Sequence, residues 1–184
     1  MALVLVKEDG NVVAGANSYA SVADGDSYHD GHLYASVWTG ADAGTKAAAL
    51  VMATRLIDGL FAFNGTRATA QQVLQWPRLL CFDPDRPAIA AIPTIVIPWY
   101  YVPGNIVPIP VVNAVIETAR EMIKKDRTDN PIGEGLKSSN IGTMQMTYDR
   151  TDRPPILPHV ALGFLSKYGA AISERRGAVR LQRT

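Results

Sequence analysis

The sequence of 184 residues has little of several features that usually reveal function. It contains one cysteine, Cys81, so it forms no intramolecular disulfide and has no second thiol for a zinc site. The apolar run at the N-terminus reaches charge at Lys7 and is too short for a secretory signal. The longest apolar region, residues 88–112, contains five prolines, which excludes a membrane-spanning helix. We therefore expect no membrane partner.

A surplus of one charge sign is also missing, because 18 basic residues face 17 acidic ones. The net charge of +1 creates no global field that would recruit nucleic acid. The charge is nevertheless distributed unevenly along the chain. Residues 1–108 contain 6 basic and 9 acidic residues, a net charge of −3, and residues 109–184 contain 12 basic and 8 acidic residues, a net charge of +4. Four arginines near the C-terminus supply much of this surplus: Arg175, Arg176, Arg180 and Arg183. Such a segment suits an acidic partner surface or a phosphate backbone, or it is a solvated chain end.

No catalytic or cofactor-binding constellation is present in the sequence. The run GADAGTK, residues 40–46, lacks the spacing and the preceding strand of a phosphate loop. Four candidate metal ligands share one polar helix: Asp26, His29, Asp30 and His32. At such spacings they could share a face, but side chains of this kind are usually solvated. Cys81 has no neighbouring base, which favours a buried apolar role. We predict no enzymatic activity, no catalytic residue, no metal and no cofactor.

Apolar periodicity predicts a mainly α fold of α+β type, a bundle of four to five helices. The expected helices begin near Val22, Lys46, Thr69, Val111 and Pro158. Ser21 and Asp24 precede and open the first, in a capping box with Asp in place of Glu. Alternating apolar residues predict a β-hairpin over 136–149 and a strand over Leu3–Val6. We expect one domain, residues 1–168, followed by a basic C-terminal arm, residues 169–184.

The run LQWPR, residues 74–78, places a tryptophan against a proline and an arginine. Pro77 disfavours helical geometry at the residue before it, so the preceding helix is expected to stop here. We predict that Trp76, Pro77 and Arg78 form a structural core motif, with the Trp76 ring in the core. Arg78 is expected to pair with an acid such as Asp58 or to line a subunit boundary. The alternative is a ligand platform, since Trp and Arg stack on bases and sugars.

Residues 81–108 form a long apolar segment with six prolines, which exclude a helix and favour an extended loop insertion. Loops of this length usually have a task, often contact with another subunit. The predicted interface residues are Ile95, Ile97, Trp99, Tyr100 and Tyr101. Base stacking would need interleaved basic residues, but the nearest to the aromatic cluster are Arg86 and Arg120. A protein interface is therefore favoured over a nucleic-acid surface.

Five motifs, taken in order, resemble those of tailed-phage head-tail adaptor proteins, whose relatives are often catalogued as DnaT-like single-strand DNA-binding proteins. The motifs are NSYASVADGDSYH (17–29), ATRLIDGLFAFNGTR (53–67), QWPR (75–78), IP (109–110) and LKSSNIGTMQMTYD (136–149). The resemblance covers most of residues 17–168. The sequence departs from the family pattern in the length of the segment 81–108.

The resemblance implies a structural virion protein with no catalytic residues. It implies a ring, typically twelvefold, beneath the portal at the capsid vertex, through which the genome is packaged and ejected. The implied partners are further copies of the chain, the portal protein, a tail or neck protein and, nonspecifically, packaged double-stranded DNA. The protein would lie in the neck of the virion after assembly in the host cytoplasm, with the four C-terminal arginines docked on the portal. The alternative is a single-stranded nucleic-acid-binding protein, which needs basic and aromatic residues to converge on one groove.

Overall fold

The computed structural model describes residues 3–83, 85, 101–129, 138–141, 144–147 and 155–172. In these ranges the chain forms five helices: α1 Val22–Asp30, α2 Ser36–Thr39, α3 Ala43–Leu60, α4 Ile109–Lys124 and α5 His159–Leu165. It also forms six short strands: β1 Phe61–Phe63, β2 Thr66–Arg67, β3 Arg78–Leu79, β4 Ser138–Ile141, β5 Met144–Thr147 and β6 Gly169–Ala171. The strands pair antiparallel as β1–β6, β2–β3 and β4–β5. The predicted mainly α fold of α+β type is confirmed.

The helices α3 and α4 pack against each other at the centre of the fold, and α5 packs on α4. α4 begins directly after Pro108, and Pro110 lies in its first turn, where a missing N–H costs no intrahelical hydrogen bond. Its buried apolar residues are Val111, Ala114, Val115, Ile116 and Ala119. From α3, Leu50, Ala53 and Ile57 are fully buried. Each large aliphatic side chain buried in this way stabilises the fold by about 1.5–3 kcal/mol.

The short helices α1 and α2 are fixed by local contacts that begin at a capping box. The Ser21 hydroxyl accepts the Asp24 N–H at 3.1 Å, and the Asp24 carboxylate accepts the Ser21 N–H at 2.7 Å, which confirms the prediction. Trp38 of α2 is fully buried against Gly25 of α1. A Cβ at Gly25 would lie 2.3 Å from the indole ring, so only glycine allows this packing. α1 and α2 therefore behave as one packed corner.

The N-terminal segment contains no strand over Leu3–Val6, so that prediction is wrong. Residues 8–13 instead fold around the buried carboxylate of Glu8, which accepts the N–H groups of Gly10 at 2.8 Å, Val12 at 3.0 Å and Val13 at 2.8 Å. These bonds satisfy backbone donors that a strand ladder would otherwise have paired. The Glu8 side chain therefore takes the place of a pairing strand for these backbone groups.

The prediction of a helix that begins near Thr69 is also wrong. Residues 69–77 form a compact loop around Gln72. The Gln72 side chain accepts the Thr69 N–H at 2.9 Å and donates to the carbonyls of Leu74 at 2.9 Å and Pro77 at 3.1 Å. Gln72 is itself buried, so these bonds are shielded from water. One amide side chain supplies the bonds that a helical turn would have made.

The predicted hairpin and last helix are confirmed where the structure describes them, whereas the strand β6 was not predicted. β4 and β5 form the expected hairpin, with Ser138 opposite Thr147 and Ile141 opposite Met144. α5 begins after Pro158, as predicted. β6 then pairs with β1 at the end of α3, and the Ile172 N–H donates to the Leu60 carbonyl at 2.8 Å. No helix in the described residues is long and apolar enough to span a membrane.

Candidate interaction surfaces

Trp76 is fully buried, as predicted, and meets two other rings edge-on. The ring centroids lie 5.6 Å from Phe63 and 5.9 Å from Tyr168. The Trp76 backbone N–H donates to the phenol oxygen of Tyr19 at 3.1 Å. The Pro77 carbonyl accepts the Ala68 N–H at 3.1 Å, which fixes the loop that follows β2. The Trp76 ring is therefore part of the core and is not an open platform for a ligand.

Arg78 is buried and bonds to backbone carbonyls in place of the expected acid. Its Nε donates to the Asn64 carbonyl at 2.8 Å, and its Nη2 donates to those of Gly65 at 2.7 Å and Phe63 at 3.2 Å. Its Nη1 donates to the backbone carbonyl of Gln75 at 3.1 Å and to the side-chain oxygen of Gln75 at 3.0 Å. The predicted pairing of Arg78 with Asp58 is therefore replaced by a set of carbonyl acceptors. Burial lowers the pKa of Arg78, and the carbonyl bonds hold the charge without a carboxylate partner.

An apolar surface follows Arg78 along the chain and is named here the Leu80 patch: Leu79, Leu80 and Phe82. Their side chains are 45, 64 and 50% exposed. Leu80 has φ of 57°, in the left-handed region that a leucine rarely adopts. The turn packs on Gly65, where a Cβ would lie 2.3 Å from the Leu79 carbonyl oxygen. The backbone therefore holds a leucine outward in a strained conformation.

The predicted interface residues lie next to this patch only in part. Tyr101 is half-buried, and its backbone forms an antiparallel bridge with Phe82. Ile95, Ile97, Trp99 and Tyr100 lie outside the described residues, as do Arg175, Arg176, Arg180 and Arg183. The Leu80 patch was not predicted, since the uniformly apolar run Leu-Leu-Cys-Phe gives no signal for which side chains face outward.

A cluster of polar side chains joins α1 to α4. Glu117 is buried, and its carboxylate accepts from the Tyr28 hydroxyl at 2.9 Å and pairs with Arg120 at 2.9 Å. His29 is buried beside Trp38, with ring centroids 5.0 Å apart, and neither ring nitrogen has a hydrogen-bond partner among the described residues. Burial lowers the pKa of His29. In the described part of the chain, no group of three or more His, Cys, Asp or Glu side chains is placed to hold a metal ion.

Cys81 is buried, and burial raises the pKa of its thiol. A thiol with a raised pKa is a poor nucleophile at neutral pH. The structure therefore agrees with a packing role for Cys81.

A second surface is named here the Tyr34 groove, a groove of about 280 Å³ between the α1–α2 turn and the C-terminal half of α4. It is lined by Tyr34, Ser36, Val37, Arg120, Glu121 and Lys124. The Tyr34 side chain is 77% exposed at its rim. Tyr34 and Arg120 are 86 positions apart in the chain, so no local pattern could have indicated that they meet.

One of these surfaces is apolar, and the other combines an exposed aromatic ring with basic side chains. The chain belongs to the family described as "Putative DnaT-like ssDNA binding protein", whose model matches residues 1–183. The match spans all five motifs that carried the resemblance. No curated protein and no solved structure matches the chain. The DnaT-like part of the resemblance is confirmed, and the head-tail adaptor role stays a prediction.

Proposed function

We propose that this chain is a structural subunit, a head-tail adaptor that assembles into a ring beneath a portal. The observation that carries the proposal is the Leu80 patch. A leucine in the left-handed region costs about 1–3 kcal/mol of backbone strain, and such strain concentrates at functional positions. A partner protein that covers the Leu80 patch would explain why three apolar side chains are exposed on one short turn.

A second copy of the chain is the partner that the charge distribution supports. A ring is built from heterologous contacts, in which one surface of a subunit meets a different surface of the next. Residues 1–108 carry a net charge of −3 and residues 109–184 one of +4, so each copy of the chain has segments of opposite net charge. Opposite potentials across an interface fix the register of the partners. The Leu80 patch would supply the apolar part of the contact.

The proposal is tested by measuring the mass of the purified protein by light scattering and by imaging it by negative-stain electron microscopy, alone and with a portal protein. We expect rings, or caps on the portal. Leu80→Asp and Phe82→Asp should shift the protein towards monomers without lowering its melting temperature, because both side chains are exposed. Leu33→Asp, at an exposed leucine on the α1–α2 turn, is the matched control. Monomers at every concentration with no affinity for portal would exclude the adaptor role.

The family description favours a second function, binding of single-stranded DNA. Such binding needs aromatic side chains that are open to bases, together with a basic groove for phosphates. Trp38, Trp76 and Tyr19 are fully buried and cannot serve, but the Tyr34 groove combines an exposed ring with cations. The two functions are separable, since oligonucleotide binding requires no ring and ring formation requires no oligonucleotide.

A further inference from the structure

The Tyr34 ring is held in place by contacts that lead back to a buried charge. The Tyr34 N–H donates to His32 Nδ1 at 3.0 Å, and the two rings meet edge-on at 6.3 Å. With Nδ1 accepting, the N–H of the His32 ring is on Nε2, which lies 3.6 Å from the buried Glu117 carboxylate, and Arg120 pairs with that same carboxylate at 2.9 Å. The backbone that carries Tyr34 is therefore anchored on α4 while its side chain stays open to solvent.

Among the charged side chains that line the groove, the cations Arg120 and Lys124 exceed the single anion Glu121 by one positive charge. Arg120 pairs with Glu117 at 2.9 Å and with Glu121 at 3.5 Å, and Glu121 also pairs with Arg127 at 3.1 Å. Two carboxylates thus offset two guanidinium groups. Lys124, which lines the groove, and Lys125, which follows it, are both exposed and form no ion pair within the described part of the chain. Both ammonium groups are therefore open to a ligand, with the exposed carboxylate of Asp126 next to Lys125 in the chain.

From this arrangement we infer that the Tyr34 groove binds single-stranded DNA, with one base stacked on Tyr34 and neighbouring phosphates on Lys124 and Lys125. The inference rests on the second function proposed above and assigns its site. The groove has a volume of about 280 Å³, near the lower end of the roughly 300–1,000 Å³ of small-ligand pockets, and the Tyr34 ring is exposed at its rim. A duplex keeps its bases stacked on each other, so the Tyr34 ring favours a single strand.

The test is fluorescence anisotropy with a labelled oligothymidylate and with a duplex of equal length, over a salt series. Wild-type protein should bind the single strand more tightly than the duplex. Tyr34→Ala should weaken binding about tenfold, and Tyr34→Phe, which keeps the ring, should stay within about twofold of wild type. The double variant Lys124→Gln/Lys125→Gln should reduce the slope of log K against log salt by about 1.4, or about 0.7 for each phosphate that a lysine no longer neutralises.

Two exposed positions outside the groove provide matched controls: Leu33→Ala beside Tyr34 and Arg55→Gln on α3. Neither should change stacking, and Arg55→Gln shows what the loss of a remote charge does. Wild-type binding that all groove variants retain would place the site elsewhere and overturn the inference while the function stands. Wild-type protein that binds no oligonucleotide would remove the function as well. If polyglutamate displaces the DNA and Tyr34→Ala has no effect, the groove is an acidic-peptide site and the inference fails.

Discussion

Tyr19 donates a hydrogen bond from its phenol to the Asp58 carboxylate at 2.7 Å, across a separation of 39 positions in the chain. The second oxygen of that carboxylate accepts the Gln75 N–H at 3.0 Å. Three motifs that are distant in sequence, NSYAS, RLIDG and QWPR, therefore meet at one carboxylate. Burial of this junction raises the pKa of Asp58 to about 6, although the bonds from Tyr19 and Gln75 act in the opposite direction.

The raised pKa of Asp58 predicts a dependence of stability on pH. Between about pH 4 and pH 6 the folded state keeps the proton and the unfolded state loses it, so the free energy of unfolding falls as pH rises. Over this range the contribution amounts to at most about 3 kcal/mol, at about 1.4 kcal/mol for each pKa unit. Asp58→Asn has no carboxyl group to titrate, so the difference between its free energy of unfolding and that of wild type should shrink from pH 4 to pH 7.

Urea unfolding of both proteins at several pH values measures this difference. Asp30→Asn, at an exposed carboxylate, is the control, and an Asp58→Asn deficit that stays constant with pH would contradict the assignment.

Trp76→Ala should lower the free energy of unfolding by about 3–5 kcal/mol, because it empties the space between Phe63 and Tyr168. Val73→Ala, at an exposed side chain in the same loop, should change it by less than about 0.5 kcal/mol. Urea unfolding monitored by circular dichroism gives both numbers. A Trp76→Ala variant as stable as wild type would remove Trp76 from the core.

Arg78→Lys should be nearly as damaging as Arg78→Ala, with a loss of at least about 3 kcal/mol. The guanidinium reaches the carbonyls of Phe63, Asn64, Gly65 and Gln75 from one plane, and a single ammonium cannot. Thermal and urea unfolding of both variants measure the loss. Arg55→Lys on the exposed face of α3 should be neutral. If Arg78→Lys were as stable as wild type, a positive charge alone would be sufficient at this position and the planar guanidinium would not be needed.

His29 predicts a loss of stability in mild acid. Burial lowers its pKa in the folded state, with Glu117 and Asp26 acting to raise it and His32 and Arg120 to lower it. The unfolded chain therefore binds the proton more readily, and the stability from this group is complete above the ordinary His pKa of about 6.5 and is lost as pH falls below it. His29→Phe should lose less stability than wild type between pH 7.5 and pH 5. His159→Gln, at an exposed histidine, should follow the wild-type curve, and an unchanged profile in His29→Phe would refute the role.

Features set by neighbouring residues were predictable from the sequence. Ser21 and Asp24 are three positions apart and form their capping box without help from the rest of the chain. Burial of Trp76 follows from its size and its place beside Pro77. The failures arise where a single side chain replaces regular backbone pairing, as Glu8 does in the N-terminal segment and Gln72 does after β2. Neither residue type favours such a role, so propensity alone predicted a strand and a helix.

The surfaces were less predictable than the core, because they depend on tertiary contacts. The backbone of Leu80 is turned outward by its packing on Gly65, which no hydropathy pattern encodes. Arg78 satisfies four carbonyls whose convergence requires the β2–β3 pairing and the Gln72 loop together. The Tyr34 groove exists only once the α1–α2 turn rests on α4.

The pairing of β6 with β1 fixes the position from which the C-terminal residues leave the fold. Ile172 is tied to the last residue of α3, and the sequence then continues for twelve residues that include four arginines. Twelve residues reach at most about 40 Å when fully stretched. An acidic surface that docks these arginines, as proposed for a portal or a neighbouring subunit, would have to lie within about 40 Å of the Ile172–Leu60 hydrogen bond.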